Sequence, residues 1–358
     1  MKRPVIVLTG GGTAGHVSVN QALIPVFLGK GYEVHYIGSH EGIEKELIGE
    51  GHPEVIYHAI QSGKLRRYVS MKNFTDPFRV GAGTLQALRI LRKLKPEIIF
   101  SKGGFVSVPV VMAAKLAKVP VVIHESDVTP GLANKLALPF SSQIFTVFEQ
   151  TLQYVPSGKS VCTGPIIRPE LFRGSREEGM KRTGLTRERP IFIVMGGSQG
   201  SAVLNEAVRK ALPELLERYQ IIHLCGKGNE ERSLDDISGY VQYEYVTDEL
   251  PDLLAAADYA VSRAGSNAIF ELLAIHKPML LVPLAASKSR GDQILNATYF
   301  ASKGLALQVK EEELLDQPMI ERFRSLEQEK SRLLSNIEQT TEPKTPEKMA
   351  EMILFFQK

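Results

Sequence analysis

Ser262 to Pro283, SRAGSNAIFELLAIHKPMLLVP, reads as strand end, turn, helix, turn and strand. Tyr259 to Ser262 closes a short apolar strand, and Arg263-Ala264-Gly265-Ser266-Asn267 is a small-residue turn with Ser266 and Asn267 as candidate N-caps. Ala268 to Ile275 has helical apolar spacing, with Ile269, Leu272 and Leu273 on one face. Lys277-Pro278 breaks the helix, and Met279 to Val282 begins a buried strand. A tight turn that aims a helix N-terminus at the open edge of a parallel sheet forms an anion site, because free N–H groups and the helix dipole point there together. Glu271, one turn into the helix, is placed to reach a neighbouring pair of hydroxyls. A phosphate beside a diol describes a nucleotide. The alternative is an ordinary connection between helix and strand, and this stretch alone leaves both readings open.

The rest of the chain narrows the choice. Its 358 residues exceed one typical domain, so two are expected. A net charge of +3 is too small to argue for nucleic acid. Cys162 and Cys225 are too few for a disulfide framework, which fits a reducing compartment. No apolar run reaches the ~18 residues a membrane span needs, and the N-terminal apolar run, Val5 to Leu8, is too short for a signal peptide. A cytosolic protein that touches a membrane surface is expected.

Val5 to Leu8 is a continuous apolar run, as in a strand covered on both faces. It enters Thr9-Gly10-Gly11-Gly12-Thr13-Ala14-Gly15-His16 and then a helix to about Lys30. Further strands are expected at Glu33–Ile37, Glu54–Ala59, Glu97–Phe100, Val119–Ile123 and Gln143–Val147, with helices between most of them. That alternation predicts a doubly wound parallel sheet. Gly10, Gly12 and Gly15 satisfy GxGxxG after a strand, a pattern shared with dinucleotide sites. The acidic residue expected at the end of the second strand is missing, since Ile37 leads into Gly38-Ser39-His40. Lys102-Gly103-Gly104-Phe105 and His124-Glu125-Ser126-Asp127 are further turns at carboxyl ends of strands, where open α/β sheets bind ligands. Between the first glycine turn and Lys102, Lys64, Arg66, Arg67, Tyr68, Met71, Phe74, Phe78, Arg79, Arg89 and Arg92 mix basic and apolar character, which suits an anionic membrane surface or a solvated helix face.

Near Thr163 to Pro169 the pattern stops, as at a connection between domains, and then restarts. Pro190 to Met195 is an apolar strand, Gly196-Gly197-Ser198-Gln199-Gly200-Ser201 a turn, and Ala202 to Arg218 a helix. Strands at Ile221–Leu224 and Tyr240–Val246 lead to the opening stretch. Past it lie a polar loop, a helix with Gln293 and Asn296, a strand at Leu305–Val309 and a largely helical tail. The helix from Glu347 to Phe356 carries Met349, Met352, Ile353, Phe355 and Phe356, which need a partner surface. Two αβ domains are thus expected, 1–164 and 165–340, with the terminal helix at 346–358 packing back on the first. Ligands of such proteins usually bind between the domains.

With these blocks assembled, the chain resembles the MurG family of membrane-associated peptidoglycan glycosyltransferases. The resemblance rests on GGTAGH at 11–16, GGFVSVP at 103–109, HESD at 124–127 with the following GLANK, and GPIIR at 164–168. It continues in GGSQGSAVLN at 196–205, the RAG turn with Glu271, and DQILNA at 292–297. It implies a GT-B fold, two Rossmann-like doubly wound parallel-sheet domains facing a cleft. It also implies an inverting transfer of N-acetylglucosamine from UDP-N-acetylglucosamine to an undecaprenyl-linked muramyl-pentapeptide, with no permanent cofactor or metal. The protein would then sit peripherally on the cytoplasmic side of the cell membrane.

The same resemblance assigns roles. The uracil would lie against the backbone near Val246, and Glu271 would accept the ribose hydroxyls. The donor diphosphate would rest at Gly265, Ser266 and Asn267, with Ser198 donating and Arg168 approaching from the connector. Gln293 and Asn296 would read the sugar, and Thr13, Ala14, Gly15 and Asp127 would complete the donor side. Gly11, Gly12, Gly103, Gly104 and Glu125 would hold the acceptor. His16 would take the proton of the attacking hydroxyl as a neutral base at a helix N-terminus. Asp127 stands where the family usually has Asn. Transfer to another lipid such as diacylglycerol is the near alternative. A UDP-sugar epimerase would need acid/base carboxylates that the sequence does not display. An NAD-dependent dehydrogenase would rest on Gly10, Gly12 and Gly15 alone.

Overall fold

The structure is a computed structural model that describes residues 3–63, 72–197, 199–287, 291–314, 318–340 and 343–357. The chain divides into two compact units, Met1–Ile167 with Pro343–Lys358, and Arg168–Glu342.

The first unit runs β1 (Val5–Thr9), α1 (Ala14–Gly29), β2 (Glu33–Ser39), β3 (Ile56–Ile60), α2 (Lys72–Leu94), β4 (Ile98–Ser101), α3 (Ser107–Ala117), β5 (Val121–Glu125), α4 (Leu132–Ala137), β6 (Gln143–Thr146) and β7 (Ser160–Cys162). Its seven strands lie in the order β3-β2-β1-β4-β5-β6-β7, and all the pairings are parallel. The order reverses between β1 and β4, so ligand-binding loops are expected beyond the carboxyl ends of those two strands. Strand side chains alternate between the faces. Ile6 and Leu8 therefore bury with Val17, Leu23 and Ile24 of α1, while Val7 buries on the other face with Ile99, Val110 and Val111. Each such side chain contributes roughly 1.5–3 kcal/mol of burial.

The second unit holds α5 (Arg176–Thr183), β8 (Ile191–Met195), α6 (Ala202–Arg218), β9 (Gln220–Leu224), β10 (Tyr240–Tyr243), α7 (Leu250–Ala256), β11 (Tyr259–Ser262), α8 (Ser266–Ala274), β12 (Met279–Leu281), α9 (Asp292–Ser302), β13 (Leu307–Gln308), α10 (Met319–Gln328) and α11 (Lys330–Glu338). The strand order, β10-β9-β8-β11-β12-β13, repeats the first unit's plan, with its switch between β8 and β11. Phe192 centres the core, stacked on Tyr259 and Phe323. A last helix, α12 (Pro346–Leu354), belongs to the first unit and buries Met349, Ala350 and Ile353 in the core beside α1. The returning chain is fixed by a Lys344 N–H that donates to Pro165 O and by Tyr32, whose hydroxyl donates to Gln357.

Some details differ from the sequence reading. Ser266 and Asn267 do not cap α8: Gly265 is the N-cap, its carbonyl accepts from Ile269 N–H, and Ser266 is already inside the helix. The strand expected over Tyr240–Val246 stops at Tyr243, because Glu244 turns to side-chain partners. Its carboxylate accepts from Gly228 N–H and its own N–H donates to Glu230. Val246 thus lies beyond the sheet. A turn of π-helix at Lys45–Glu50 and the strand β7 had no counterpart in the sequence reading. Of the basic-apolar stretch, Lys64, Arg66, Arg67, Tyr68 and Met71 lie outside the described residues.

Candidate functional site

In the first unit the turn between β1 and α1 is packed against the turn that follows β4. Gly11 N–H donates to Gly103 O at 3.2 Å. Gly104 has φ +83°, and a Cβ there would lie 2.2 Å from Gly11 O, so only glycine permits this approach. Tyr36 pins the turn from below by donating its hydroxyl to Gly10 O at 2.7 Å. Thr13 is the N-cap of α1, its hydroxyl accepting from His16 N–H. The half-buried His16 ring places Nδ1 2.9 Å from Gly11 O and 3.1 Å from Thr13 Oγ1. A carbonyl can only accept, so Nδ1 carries the proton and a neutral ring has its lone pair on Nε2. That is the tautomer a base working through Nε2 needs.

Two residues of the expected acceptor side already have partners within the first unit. Gly12 N–H, assigned to an acceptor, is taken by the buried carboxylate of Glu44 at 3.1 Å. Glu125, also assigned there, is buried, and its carboxylate accepts from Asp127 N–H, Gly131 N–H and the Asn134 amide. It therefore shapes the 125–134 turn that carries Asp127, with its oxygens already engaged. Lys102 lies beneath both turns, wholly buried, and donates to Ser126 Oγ at 2.7 Å. Burial pushes the Lys102 ammonium down, while Glu125 and Asp127 hold it up.

In the second unit Arg263, first residue of the turn before α8, points inward. Its guanidinium donates to Ser201 Oγ, Val282 O and Glu311. Arg263 and Glu311 are both buried, at 3.0 Å, and Glu311 also accepts from Ala285 N–H. This network fastens the turns after β8, β11 and β12 to one another. Asn296, wholly buried on α9, donates to Ala264 O at 3.2 Å and so supports the same turn. Gln293 accepts from Leu284 N–H at 3.0 Å. Glu271 and Arg168 form an ion pair at 3.0 Å, with side-chain exposures of 18% and 33%. Ser266, at the tip of α8, is buried, and its hydroxyl has no hydrogen-bond partner among the described residues. A buried hydroxyl without a partner costs free energy unless something outside the chain completes it. Gly265, Ser266, Asn267, Glu271, Arg168 and Asn296 thus gather at the carboxyl end of β11, while no described bond ties Val246 to them. Ser198 lies outside the described residues.

Sequence reasoning missed Glu44, Arg263 and Glu311 as organisers of these turns. Glu44 is one of several acids in HEGIEKE, and nothing local separates it from Glu41 or Glu46. The Arg263–Glu311 pair joins distant parts of the chain and leaves no local pattern. Lys102 had a signal: a lysine continuing an apolar strand is seldom buried unless paired. Among the described residues no group of three or more His, Cys, Asp or Glu side chains could hold a metal ion, and no helix is long and apolar enough to cross a membrane.

The comparisons agree with this geometry. Residues 6–146 match the glycosyltransferase family 28 N-terminal domain, and residues 191–352 match its C-terminal domain. A Geobacillus thermodenitrificans protein is 53% identical over 340 residues, covering 94% of this chain and 95% of its own length. A Staphylococcus aureus protein is 50% identical over 349 residues, covering 98% of both. Each is named UDP-N-acetylglucosamine--N-acetylmuramyl-(pentapeptide) pyrophosphoryl-undecaprenol N-acetylglucosamine transferase. The crystal structure of Acinetobacter baumannii MurG superimposes with a TM-score of 0.76 at 21% identity, covering 99% of this chain and 100% of that one. The dinucleotide reading of Gly10, Gly12 and Gly15 falls here. Both domain matches are to glycosyltransferases, and the acid at the turn, Glu44, holds the protein's own backbone. Two Rossmann-like parallel sheets, each with its switch point lined by glycine turns, make a GT-B enzyme of the hexosyltransferase class, and the chain belongs to glycosyltransferase family 28.

Proposed function

We propose that the protein transfers N-acetylglucosamine from UDP-N-acetylglucosamine to the undecaprenyl-linked muramyl-pentapeptide, with inversion at the anomeric carbon. Relatives of that name, half identical across nearly the full length, support the reaction. Within the chain, the observation that carries it is the α8 tip: a buried Ser266 hydroxyl, without a partner among the described residues, one turn from the Glu271 carboxylate. A diphosphate at the tip and a ribose at Glu271 would satisfy both. The uracil is assigned to the backbone at Val246.

The steps follow from the side chains. The acceptor, an anionic lipid diphosphate, rests on the first unit's glycine turns. Its sugar hydroxyl attacks the donor's anomeric carbon while His16 Nε2 takes the hydroxyl proton. The new C–O bond forms as the bond from that carbon to the UDP oxygen breaks, and UDP leaves with the electron pair. N–H groups at the α8 tip and the Ser266 hydroxyl offset the charge that grows on the diphosphate, electrostatic work arranged in advance. Arg168 orients Glu271 and adds positive charge near the nucleotide. Because Asn296 and Gln293 are engaged with Ala264 and Leu284, their effect on sugar choice passes partly through those backbone segments.

Membrane attachment is part of the proposal. Along α2, Phe78 and Leu85 are exposed at 81% and 60%, and Arg79, Arg89 and Arg92 are exposed near them. That mixture suits an anionic bilayer surface on the cytoplasmic side.

Labelled UDP-N-acetylglucosamine, offered with the muramyl-pentapeptide lipid and with diacylglycerol in parallel, tests the reaction. Label is expected in the muramyl lipid with the β configuration by NMR. Label in diacylglycerol only, or a retained configuration, would overturn it. Binding to anionic vesicles should weaken with salt and after charge reversal at Arg66, Arg67 and Arg79; unchanged binding removes the membrane reading.

A further inference from the structure

We propose that Glu44 is a positioning residue for His16, acting through the peptide group that joins Gly11 and Gly12. This rests on the reading of His16 as the base. The two bonds belong to one amide: Gly12 N–H donates to Glu44 Oε2 at 3.1 Å, and Gly11 C=O faces His16 Nδ1 at 2.9 Å. The line runs carboxylate, peptide N–H, peptide C=O, imidazole N–H. A peptide group whose N–H donates to an anion becomes a better acceptor at its carbonyl, because hydrogen bonds in a chain polarise one another. The arrangement therefore does for His16 what a carboxylate bonded directly to a histidine does. It fixes the Nδ1–H tautomer and stabilises the positive ring that forms when Nε2 takes a proton.

The surroundings are built for this carboxylate. Glu44 is 1% exposed. Its other oxygen accepts from Ser39 N–H at 3.1 Å and Ser39 Oγ–H at 2.6 Å, so all three partners are donors, as suits an ionised acid. A Cβ at Gly11 would lie 2.4 Å from the Glu44 carboxyl carbon, and one at Gly42 2.2 Å from its oxygen, so glycines make the room. The ionisable groups described as facing it are Tyr36 and Tyr57. Burial first, and then the Glu44 charge, push both phenols up and keep them neutral. Tyr57 also donates to Ser39 O at 2.7 Å, bracing the residue that holds Glu44.

The test is Glu44→Gln, measured with Glu44→Asp, His16→Ala and the double variant Glu44→Gln/His16→Ala. Glu44→Gln is expected to lower kcat by about 10- to 100-fold, the usual effect of removing such a supporting partner, with KM for UDP-N-acetylglucosamine unchanged. The acidic limb of its kcat–pH profile should move to lower pH, since losing the negative charge makes the imidazolium harder to form. Glu44→Asp, which keeps the charge, should hold the limb near the parent's position. With His16 already Ala, Glu44→Gln should cost no more than about twofold, because the two residues act as one unit. An unmoved limb, or full loss in the His16→Ala background, would overturn the proposal. Should Glu44→Gln not fold, nitrogen NMR of histidine-labelled parent protein decides: an Nδ1–H His16 supports the relay and an Nε2–H form ends it. That spectrum needs no turnover. A parent chain that fails to transfer the sugar would therefore count against the proposed function, while the relay is still judged on the spectrum.

Discussion

The tips of α1 and α8 both sit at the switch point of their sheet, α1 after β1 and α8 after β11, the counterpart of β4, yet they are finished in opposite ways. At α1 the turn is closed from within: Thr13 caps the helix, Glu44 takes Gly12 N–H, and His16 bonds back to Gly11 O. At α8 the turn is tied from behind by Arg263 and Asn296, the N-cap is a glycine with no side-chain bond, and the Ser266 hydroxyl has no partner among the described residues. One anion-binding design thus serves two ends. The first tip uses an internal carboxylate to orient a base, and the second keeps its donors for a ligand. A shared place at a switch point does not bring shared chemistry.

The sharpest way to break this contrast is at His16. His16→Ala should lower turnover by about 10²- to 10⁴-fold, the range ascribed to general acid–base groups, and leave UDP binding as it was. Calorimetry with UDP beside a steady-state assay gives both numbers. A His16 variant that turns over normally but binds UDP poorly would reverse the two roles. Next comes Glu271→Ala. Losing charged hydrogen bonds of ~1.5–3 kcal/mol should weaken UDP binding by about 10- to 100-fold. Arg168 is partly exposed and can turn to water, so melting temperature should change little. Undiminished affinity would remove the ribose from Glu271.

How far the sequence disclosed this division depends on the range of each interaction. Strands such as Val5–Leu8 and Ile191–Met195 announce themselves through uninterrupted apolar runs between glycine turns, because they are covered on both faces. Helix α6 runs from Ala202 to Arg218 as the sequence reading has it, since Ser201 caps it. The glycine turns and His16 were visible as local motifs. The organising roles of Glu44, Arg263 and Glu311 were not, because each acts across the fold on backbone groups that composition and spacing cannot locate. The cap of α8 was misread for a related reason. Ser266 has the composition of an N-cap, but Gly265 takes that place and the serine enters the helix.

Paired alanine substitutions sharpen the contrast in stability. Gly104→Ala sets a Cβ 2.2 Å from Gly11 O at φ +83°, so the left-handed strain alone costs about 1–2 kcal/mol and the clash adds to it. Gly265→Ala meets nothing within 4 Å at φ −70° and should stabilise the unbound fold by about 0.4–1 kcal/mol through the unfolded chain. Urea unfolding of both variants checks the pair. Similar losses in the two would mean that the second tip is as tightly closed as the first.

The smallest effect is the most discriminating. Ser266→Ala deletes a buried hydroxyl that has no hydrogen-bond partner among the described residues, so unligated stability should hold or rise. If a diphosphate completes that hydroxyl, UDP affinity should fall by about 2- to 10-fold, the worth of one hydrogen bond of ~0.5–1.5 kcal/mol. The two measurements must move in opposite senses. A loss of stability without a loss of affinity would mean that Ser266 serves the fold, and that the second tip is closed from within as the first is.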